Sequence, residues 1–305
     1  MIRFDDRVAI VTGAGAGLGR SHALGLAERG AKIVVNDLGA STDGSGQNEG
    51  AADSVVAEIA AMGGSAMAHG ADVSDPAQVA DMVAAAMGRW GRIDILINNA
   101  GILRDKTFAK MDLADFRKVI DVHLMGSANC CHAVWPIMRQ QGYGRIVLTA
   151  SASGLYGNFG QSNYGAAKAA MVGLMNVLHL EGQRDDIRVN TLAPTAATRM
   201  TEDLMPDEAL ALLRPETITP GVLYLVNEDG PSRTILGAGA GVFAQTRIYE
   251  TEGHLIEGDI TPEAVAAHWD TIIDPADQQE LQDAFSQTRK FAKRAADAKG
   301  LKLTW

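Results

Sequence analysis

Short apolar runs of strand length alternate with helical stretches through the first three-quarters of the chain. Continuous apolar strands separated by helices are typical of a parallel sheet that is covered on both faces. The pattern therefore predicts an α/β fold built on a doubly wound parallel sheet. The predicted strands lie at 7–12, 31–37, 64–73, 92–101, 143–151 and 186–194, with helices near 17–29, 49–62, 75–90, 112–140 and 161–183.

The alternation stops near residue 245, and the remaining 245–305 is predicted as a C-terminal helical extension of a domain over 1–244. Two helices are expected there, at 261–273 and 275–299. Thr261 is a good N-cap for the first, because its hydroxyl accepts a backbone N–H and Pro262 suits the first turn. The extension is too short to build a core of its own.

Composition excludes several classes of protein. The 305 residues carry a formal net charge of −10, which would repel phosphates and argues against a general nucleic-acid binder. No apolar run is long enough to span a bilayer, and the start "MIRFDDRVAI" lacks the pattern of a signal peptide. The adjacent Cys130 and Cys131 cannot easily bridge to each other, so no disulfide framework is expected. We expect a cytoplasmic protein without a metal site.

A glycine-rich turn, "TGAGAGLG" at 12–19, follows the first predicted strand and opens a helix. Gly13 permits a tight turn, Gly17 lets backbone amides approach a ligand, and Gly19 lets the helix pack closely on the sheet. With Leu18 in the same turn, the exposed N–H groups and the positive end of the helix would bind a pyrophosphate. A plain strand–helix turn is the alternative, because a lone glycine-rich turn is weak evidence.

Asp37 ends the second predicted strand, eighteen residues after Gly19. Its carboxylate would accept hydrogen bonds from an adenosine ribose and repel a 2′-phosphate, which favours NAD over NADP. Further along the chain, Asp72 and Val73 end the third strand, and Asn98 and Asn99 end the fourth. Because open α/β sheets bind ligands at the carboxyl ends of their strands, these residues are predicted to outline a cofactor cleft.

Tyr164 and Lys168 are four residues apart on the helix after strand five, so they share one helix face. Ser151 lies at the carboxyl end of that strand. A free tyrosine has a pKa near ~10, and a nearby ammonium and an oxidised nicotinamide ring would lower it. Tyr164 is therefore predicted to exchange a proton with a substrate alcohol or ketone, with Ser151 holding the substrate oxygen. Lys168 would also reach the nicotinamide ribose.

"TGAGAGLG", "NNAG" and the spacing Ser-x12-Tyr-x3-Lys together resemble the short-chain dehydrogenase/reductase family over about residues 5–240. The resemblance implies a Rossmann-type domain, hydride transfer to or from a nicotinamide, and homodimers or homotetramers built from the helices near 112–140 and 161–183. "SASGLYGNFGQSNY" and "TPEAVAAHW" are, more narrowly, similar to the dehydrogenase part of the peroxisomal multifunctional enzymes of type 2. That subfamily oxidises (3R)-hydroxyacyl-CoA to 3-ketoacyl-CoA with NAD, so a small-molecule substrate of that class is expected here.

The chain departs from the family pattern in two places. "VHLMG" puts His123 where the family has the asparagine of a catalytic tetrad; a ring nitrogen could hold a water there, or the histidine could simply bond the backbone. "PTAATRM" replaces the family's Pro-Gly after strand six, so Thr195 and Thr198 are expected to contact the nicotinamide amide.

Three further alternatives stay open. Residues 196–216 would form a lid over an acyl or steroid pocket, or an ordinary amphipathic helix. The basic stretch 288–302 would meet CoA phosphates or be a solvated helix end. The chemistry would serve a (3R)-hydroxyacyl-CoA, a 17-beta-hydroxysteroid or a steroid-CoA; a silent NAD-binding sensor is the non-enzymatic alternative.

Overall fold

The fold is described from a computed structural model, which covers residues 1–46, 50–196 and 207–304. The chain separates into two compact units, Met1–Gln245 and Thr246–Trp305.

The first unit is built on one eight-stranded sheet with the order β3-β2-β1-β4-β5-β6-β7-β8. All six pairings from β3 to β7 are parallel, so the doubly wound sheet predicted from the alternation is confirmed. The last two strands were not among the predicted ones. The strands are β1 Val8–Thr12, β2 Lys32–Asn36, β3 Ser65–His69, β4 Ile95–Asn98, β5 Gly144–Thr149, β6 Ile187–Pro194, β7 Ile235–Gly239 and β8 Val242–Thr246.

Helices connect the strands and cover the sheet. The helix over Pro76–Trp90 is capped at both ends. It begins after its N-cap residue Asp75 and ends at Gly91, which adopts the left-handed conformation with a φ of 72°. The helices are α1 Gly17–Ala27, α2 Gly50–Ala61, α3 Pro76–Trp90, α4 Leu113–Ile120, α5 Gly126–Gln141, α6 Ala152–Tyr156, α7 Ser162–Gly182, α8 Asp207–Leu212, α9 Thr219–Leu225, α10 Pro262–Ala267, α11 Trp269–Ile272 and α12 Ala284–Ala298.

The core consists of two clusters, one on each face of the sheet. Ile10 of β1 belongs to the cluster that contains residues of α3, α5 and α7, whereas its neighbours Ala9 and Val11 belong to the cluster with α1, α2 and α9. Successive residues of a strand point to opposite faces, so both faces of β1 are covered by apolar side chains. This is why the strands are apolar throughout rather than alternating.

The long helix expected at 112–140 is divided. A π-helical turn, Asp121–Met125, joins α4 to α5 and carries His123. Such turns widen the backbone by one residue and are frequent at functional sites. Sequence periodicity could not show the division, because every residue on either side remains helical.

The strand order reverses between β1 and β4, and the carboxyl ends of these strands lie at one edge. Thr12 at the end of β1 is in register with Asn36 of β2, and Asn98 at the end of β4 is in register with Leu148 of β5. Open α/β sheets bind their ligands in the crevice at such a reversal. The residues predicted for cofactor binding follow these strand ends.

In the second unit, α10, α11 and α12 are short or amphipathic, and Ala296 is the one buried residue among those described from 246 to 304. The N-cap expected at Thr261 is present, with its hydroxyl accepting from the Ala264 N–H at 3.1 Å. In the described parts of the chain, no helix has both the length and the apolar character needed to cross a membrane.

Candidate active site

The turn between β1 and α1 brings glycine Cα atoms against other backbone. A Cβ on Gly19 would lie 2.1 Å from the carbonyl oxygen of Gly13, and one on Gly13 would lie 2.8 Å from the Cα of Ala100. Gly13 also has a φ of +62°, which L side chains rarely adopt. The turn therefore requires glycine at both positions.

The helix that follows this turn has an open N-terminus. Gly17, Leu18 and Gly19 are its first three residues, and their amides are among those with no intrahelical partner. Ala16 at the N-cap offers no side-chain cap, and the first turn contains no acidic residue. Free amides and the positive helix end suit anionic phosphates, so these residues fit a dinucleotide pyrophosphate.

Asp37 follows β2 and is fixed by two backbone amides. Its Oδ2 accepts from the Gly15 N–H and its Oδ1 from the Gly39 N–H, both at 2.7 Å. Each oxygen keeps a lone pair for a ligand hydroxyl. A Cβ on Gly15 would lie 2.8 Å from Oδ2, so this glycine, which the sequence motif leaves unspecified, is what allows the carboxylate to approach.

The two asparagines after β4 have different environments. Asn99 Nδ2 donates to the carbonyls of Thr12 and Gly13 at 3.1 and 3.0 Å, so it supports the glycine turn. The Thr12 hydroxyl accepts in return from the Asn99 N–H at 3.0 Å. Asn98 is buried, and its amide points to Cys131 Sγ at 3.5 Å. The Asn98 side chain thus packs against α5, and a direct cofactor contact from either asparagine remains a prediction.

Asp72 and Val73 make mainly local contacts. The Asp72 carboxylate accepts from the N–H and hydroxyl of Ser74 at 2.9 and 2.6 Å. Val73 is buried, and a Cβ on Gly126 would lie 2.6 Å from its Cγ2. Close packing of this strand end against α5 explains both residues, and their role as cofactor contacts is untested.

Thr195 lies just after β6, where its N–H donates to the Ala238 carbonyl at 2.8 Å and its side chain is exposed. Thr198 and the rest of 197–206 in the predicted lid lie outside the described residues. In the described part of this segment, the Leu213 N–H donates to the Leu210 carbonyl at 3.1 Å.

Ser151, Tyr164 and Lys168 are brought together at the carboxyl end of β5. Ser151 is the N-cap of α6, and its side chain is hydrogen-bonded to that of Tyr164. Lys168 Nζ lies 5.5 Å from the centroid of the Tyr164 ring and donates to the Thr149 carbonyl at 2.6 Å. An alcohol oxygen at this point would be within reach of both hydroxyls.

The electrostatics of this group differ from the expectation that Lys168 makes the phenol acidic. Burial raises the pKa of Tyr164, the hydrogen bond with Ser151 acts in the opposite direction, and the charge of Asp105 raises the pKa further. Burial also lowers the pKa of Lys168 to about 7. The physical reason is that both groups sit in a poorly solvated site, which disfavours the charged form of each.

His123 is 2% exposed and lies edge-on to Tyr164, with ring centroids 5.2 Å apart and an angle of 88°. Its Nε2 lies 3.1 Å from the Ile102 nitrogen and 2.9 Å from the Ile102 oxygen, and the tautomer decides which bond forms. Its Nδ1 is buried without a hydrogen-bond partner in the part of the chain that the structure describes. Burial and the charge of Lys168 hold the pKa of His123 well below its usual value, so the ring is neutral.

Two further residues of this region have roles that the sequence motifs did not predict. A Cβ on Gly101 would lie 2.2 Å from His123 Cε1, so this glycine makes room for the imidazole. Asn163 is completely buried beside Tyr164 and donates to the Arg104 carbonyl at 2.8 Å. Gly101 is the last residue of "NNAG", which could have drawn attention to it, whereas no local pattern identifies Asn163.

Comparison with known proteins agrees with this geometry. The family model described as short chain dehydrogenase matches residues 7–209. The chain belongs to this family. It is therefore an oxidoreductase with a nicotinamide cofactor, and the resemblance drawn from its motifs is confirmed.

Its relatives include longer enzymes. It is 48% identical over 281 residues to the peroxisomal hydratase-dehydrogenase-epimerase of Saccharomyces cerevisiae. This alignment covers 91% of this chain but 31% of the yeast protein. The full-length peroxisomal multifunctional enzyme type 2 of Drosophila melanogaster superimposes with a TM-score of 0.82 at 36% identity, over 97% of this chain and 50% of the other. The chain thus spans a third to a half of the length of these two relatives.

A third similarity is to a structure with ligands. A 7 alpha-hydroxysteroid dehydrogenase complexed with NADH and 7-oxo glycochenodeoxycholic acid superimposes with a TM-score of 0.71 at 30% identity. It covers 78% of this chain and 95% of that one.

Proposed function

We propose that this protein oxidises the secondary alcohol of a (3R)-hydroxyacyl-CoA to the 3-ketoacyl-CoA with NAD, using Tyr164 as general base. The observation that carries the proposal is the contact of Ser151 with Tyr164, beside Lys168, at the sheet edge where the glycine turn opens. In the reverse direction Tyr164 is the general acid.

In the oxidation, the substrate hydroxyl hydrogen passes to the Tyr164 oxygen as a proton. The C–H bond of the same carbon breaks with its electron pair, and the carbonyl forms. NAD, held by the glycine turn and Asp37, would supply the acceptor for this hydride and a positive charge at the site. Ser151 holds the substrate oxygen, so that proton and hydride leave from one fixed geometry.

Positive charge at the site has to overcome the burial that raises the pKa of Tyr164. Each unit by which the pKa falls corresponds to about 1.4 kcal/mol in favour of the phenolate. Lys168 contributes in its ammonium form, and a pKa of about 7 makes that form sensitive to pH in the neutral range. Lys168 therefore couples the charge of the site to the bulk pH.

His123 is proposed to support this group with its buried Nδ1. This nitrogen faces no partner among the described residues and could hold a water, as the asparagine does in the family pattern. Replacing His123 with Ala should lower turnover with little change in fold. Unchanged turnover would remove the residue from the mechanism.

NAD is favoured over NADP because of Asp37. Two amides fix its carboxylate at the end of β2, where a 2′-phosphate would meet a negative charge that cannot turn away. Fluorescence titration with NADH and NADPH tests this directly. Tighter binding of NADPH would overturn the assignment.

The substrate class rests on the resemblance to the multifunctional enzymes, one of which, from Saccharomyces cerevisiae, is named as a hydratase-dehydrogenase-epimerase. The structural neighbour that holds a bile acid favours the second candidate, a hydroxysteroid or steroid-CoA. A screen of NAD reduction across 3-hydroxyacyl-CoA and 17-hydroxysteroid substrates separates the two. Turnover of free steroids alone would exclude the acyl-CoA proposal.

Tyr164→Phe tests the catalytic step, since it removes only the phenol oxygen. We expect turnover of every substrate to fall at least about 100-fold, the lower end of the range for general acid–base catalysis. Tyr143→Phe is a matched control: Tyr143 is buried between Arg7 and Arg145, at the opposite end of β5. If Tyr164→Phe retained full turnover, the assignment would be wrong; if no substrate were turned over by the wild type, an NAD-binding sensor would be favoured.

We also propose a homodimer or homotetramer. Val177 and Leu180 on α7 are large apolar residues that are 53% and 43% exposed, on one of the two helices implied by the family resemblance. Sedimentation of the wild type and of a Val177→Asp variant tests this; a monomeric wild type would contradict it.

A further inference from the structure

The first turn of α7, which carries Tyr164, lacks an ordinary cap. Gln161 at the N-cap makes no side-chain capping bond. Tyr164 is the third helical residue, so its N–H is one of the amides without an intrahelical partner. The Asn163 side chain satisfies it instead, because its Oδ1 accepts from the Tyr164 N–H at 2.7 Å.

The other half of the same amide is also engaged. Asn163 Nδ2 donates to the carbonyl of Arg104 at 2.8 Å. With both its oxygen and its nitrogen bonded and an exposure of 0%, the Asn163 side chain has one orientation. It therefore ties the backbone of Tyr164 to a segment 59 residues earlier in the chain.

That segment, Ile102–Lys106, follows the "NNAG" residues and contacts several parts of the site. Ile102 bonds His123, and the Leu103 N–H donates to the Thr42 carbonyl at 2.8 Å in the loop after β2. Arg104 donates to the Asp43 carbonyl at 2.9 Å, on the same loop. A residue held to this segment is thereby held in a fixed place relative to both the histidine and the side of the cleft that carries Asp37.

Two other bonds join the same regions, from Gln161 Nε2 to Asp105 at 2.6 Å and from the Lys106 N–H to the Gly160 carbonyl at 2.9 Å. The Gln161–Asp105 bond is solvent-exposed, and water can replace such a bond at little cost. The bond from Asn163 comes from a fully buried side chain, and losing it leaves its partner unsatisfied. Of the three bonds, the one from Asn163 is therefore made by a completely buried side chain that water does not reach.

We propose that Asn163 is a positioning residue for Tyr164, holding the phenol at the place where it meets the substrate oxygen. The inference rests on the proposed role of Tyr164 as acid/base. A displacement of about 1 Å at a reacting group can cost roughly 100-fold in rate, even when the altered residue does not touch the substrate. Asn163 acts on the chemical step, and leaves the glycine turn and Asp37 in place.

The test compares Asn163→Ala with Asn190→Ala. Asn190 is also completely buried and bridges backbone groups, with Nδ2 donating to Pro231 at 2.8 Å and Oδ1 accepting from Thr234 at 2.9 Å. It lies within β6, away from Tyr164. We expect Asn163→Ala to lower kcat about 10- to 100-fold, with the NADH dissociation constant within about 2-fold of wild type. Asn190→Ala should lower the melting temperature but keep kcat per folded molecule.

Asn163→Asp provides a second measurement on a variant of the same shape. The aspartate carboxylate can still accept from the Tyr164 N–H but has no hydrogen to donate to the Arg104 carbonyl. The protonated carboxyl group can make both bonds. Burial raises the pKa of such a carboxyl, so protonation is expected within the assay range. The ratio of kcat for Asn163→Asp to that of wild type should rise about 5-fold or more from pH 8 to pH 6.

Wild-type kcat in Asn163→Ala would overturn the inference, and so would an equal loss of kcat and NADH affinity, which would place the effect at the cofactor. If Asn163→Ala does not fold, a pH-independent ratio for Asn163→Asp overturns it. Full activity of Tyr164→Phe would contradict the proposed function itself. Loss of activity in Tyr164→Phe together with a normal kcat in Asn163→Ala would contradict only the positioning role of Asn163.

Discussion

Gly101→Ala adds one methyl group at the point where the chain passes His123. Gly101 is not among the glycines with positive φ, so alanine is compatible with its backbone and the effect is purely steric. The added Cβ would lie 2.2 Å from Cε1 and 3.0 Å from Nδ1 of the imidazole. Carbon atoms pack at about 3.5 Å or more, so the ring would have to move by roughly 1.3 Å.

His123 cannot move freely, because it is buried and bonded to Ile102, and its ring is packed against that of Tyr164. Overpacking of this kind costs about 1–3 kcal/mol in the free energy of unfolding. Because Tyr164 is the proposed acid/base, displacement of the ring packed against it should lower kcat by about 10- to 100-fold. Both effects follow from the one contact.

The assay is steady-state turnover together with urea unfolding, in a double-mutant cycle with His123→Ala. Removing the imidazole removes the clash, so Gly101→Ala should cost little in the His123→Ala background. Gly88→Ala is the control: Gly88 lies exposed in α3, an added Cβ there meets nothing within 4 Å, and alanine should stabilise the helix by about 0.5–1 kcal/mol. Equal cost of Gly101→Ala with and without His123 would refute the reasoning.

Three further outcomes are expected. The folded-state pKa of Lys168, about 7 against 10.5 for the free side chain, means that the unfolded chain binds more protons between these values. The free energy of unfolding should thus rise with pH over that window, and Lys168→Met should remove the rise in urea titrations at several pH values. Asp94→Ala should lower the free energy of unfolding by about 1–3 kcal/mol, because the Val8 N–H loses its buried acceptor. The kcat should stay unchanged, because the candidate site lies at the opposite ends of the strands, and a selective loss of kcat would contradict this. Gly15→Ala should weaken NADH binding, because the added methyl group would displace the Asp37 carboxylate. Wild-type NADH affinity in calorimetry would exclude a contact between Asp37 and the cofactor.

The fold class and the grouping of Ser151, Tyr164 and Lys168 were accessible from sequence because both depend on short-range geometry. Strand-length apolar runs separated by helices specify a covered parallel sheet, whatever the details of packing. The helix period puts Tyr164 and Lys168 on one face, and a residue at the end of a parallel strand has to emerge at the ligand-binding edge. The glycine turn is similarly local, since Gly13 and Gly19 contact each other six residues apart.

The environment of the site was not accessible in this way. Burial raises the pKa of Tyr164, and this effect was not foreseen because the degree of burial is set by elements from the whole chain. The π-helical turn at His123 was also missed, since it leaves the helical pattern intact. The contact of the Asn98 amide with Cys131 of α5 was likewise not foreseen, because only the packing of β4 decides it.

The sequence by itself determined the sheet, the glycine turn and the helix face shared by Tyr164 and Lys168, because each depends on residues that are close in the chain. Only the tertiary structure decided what surrounds them: the amides that fix Asp37, the glycine that admits His123, and the asparagine that anchors Tyr164 to Arg104. Apart from the Gly39 amide beside Asp37, these contacts join residues 22 to 59 positions apart, and no periodicity encodes such a distance. Chain folding alone brings them within reach.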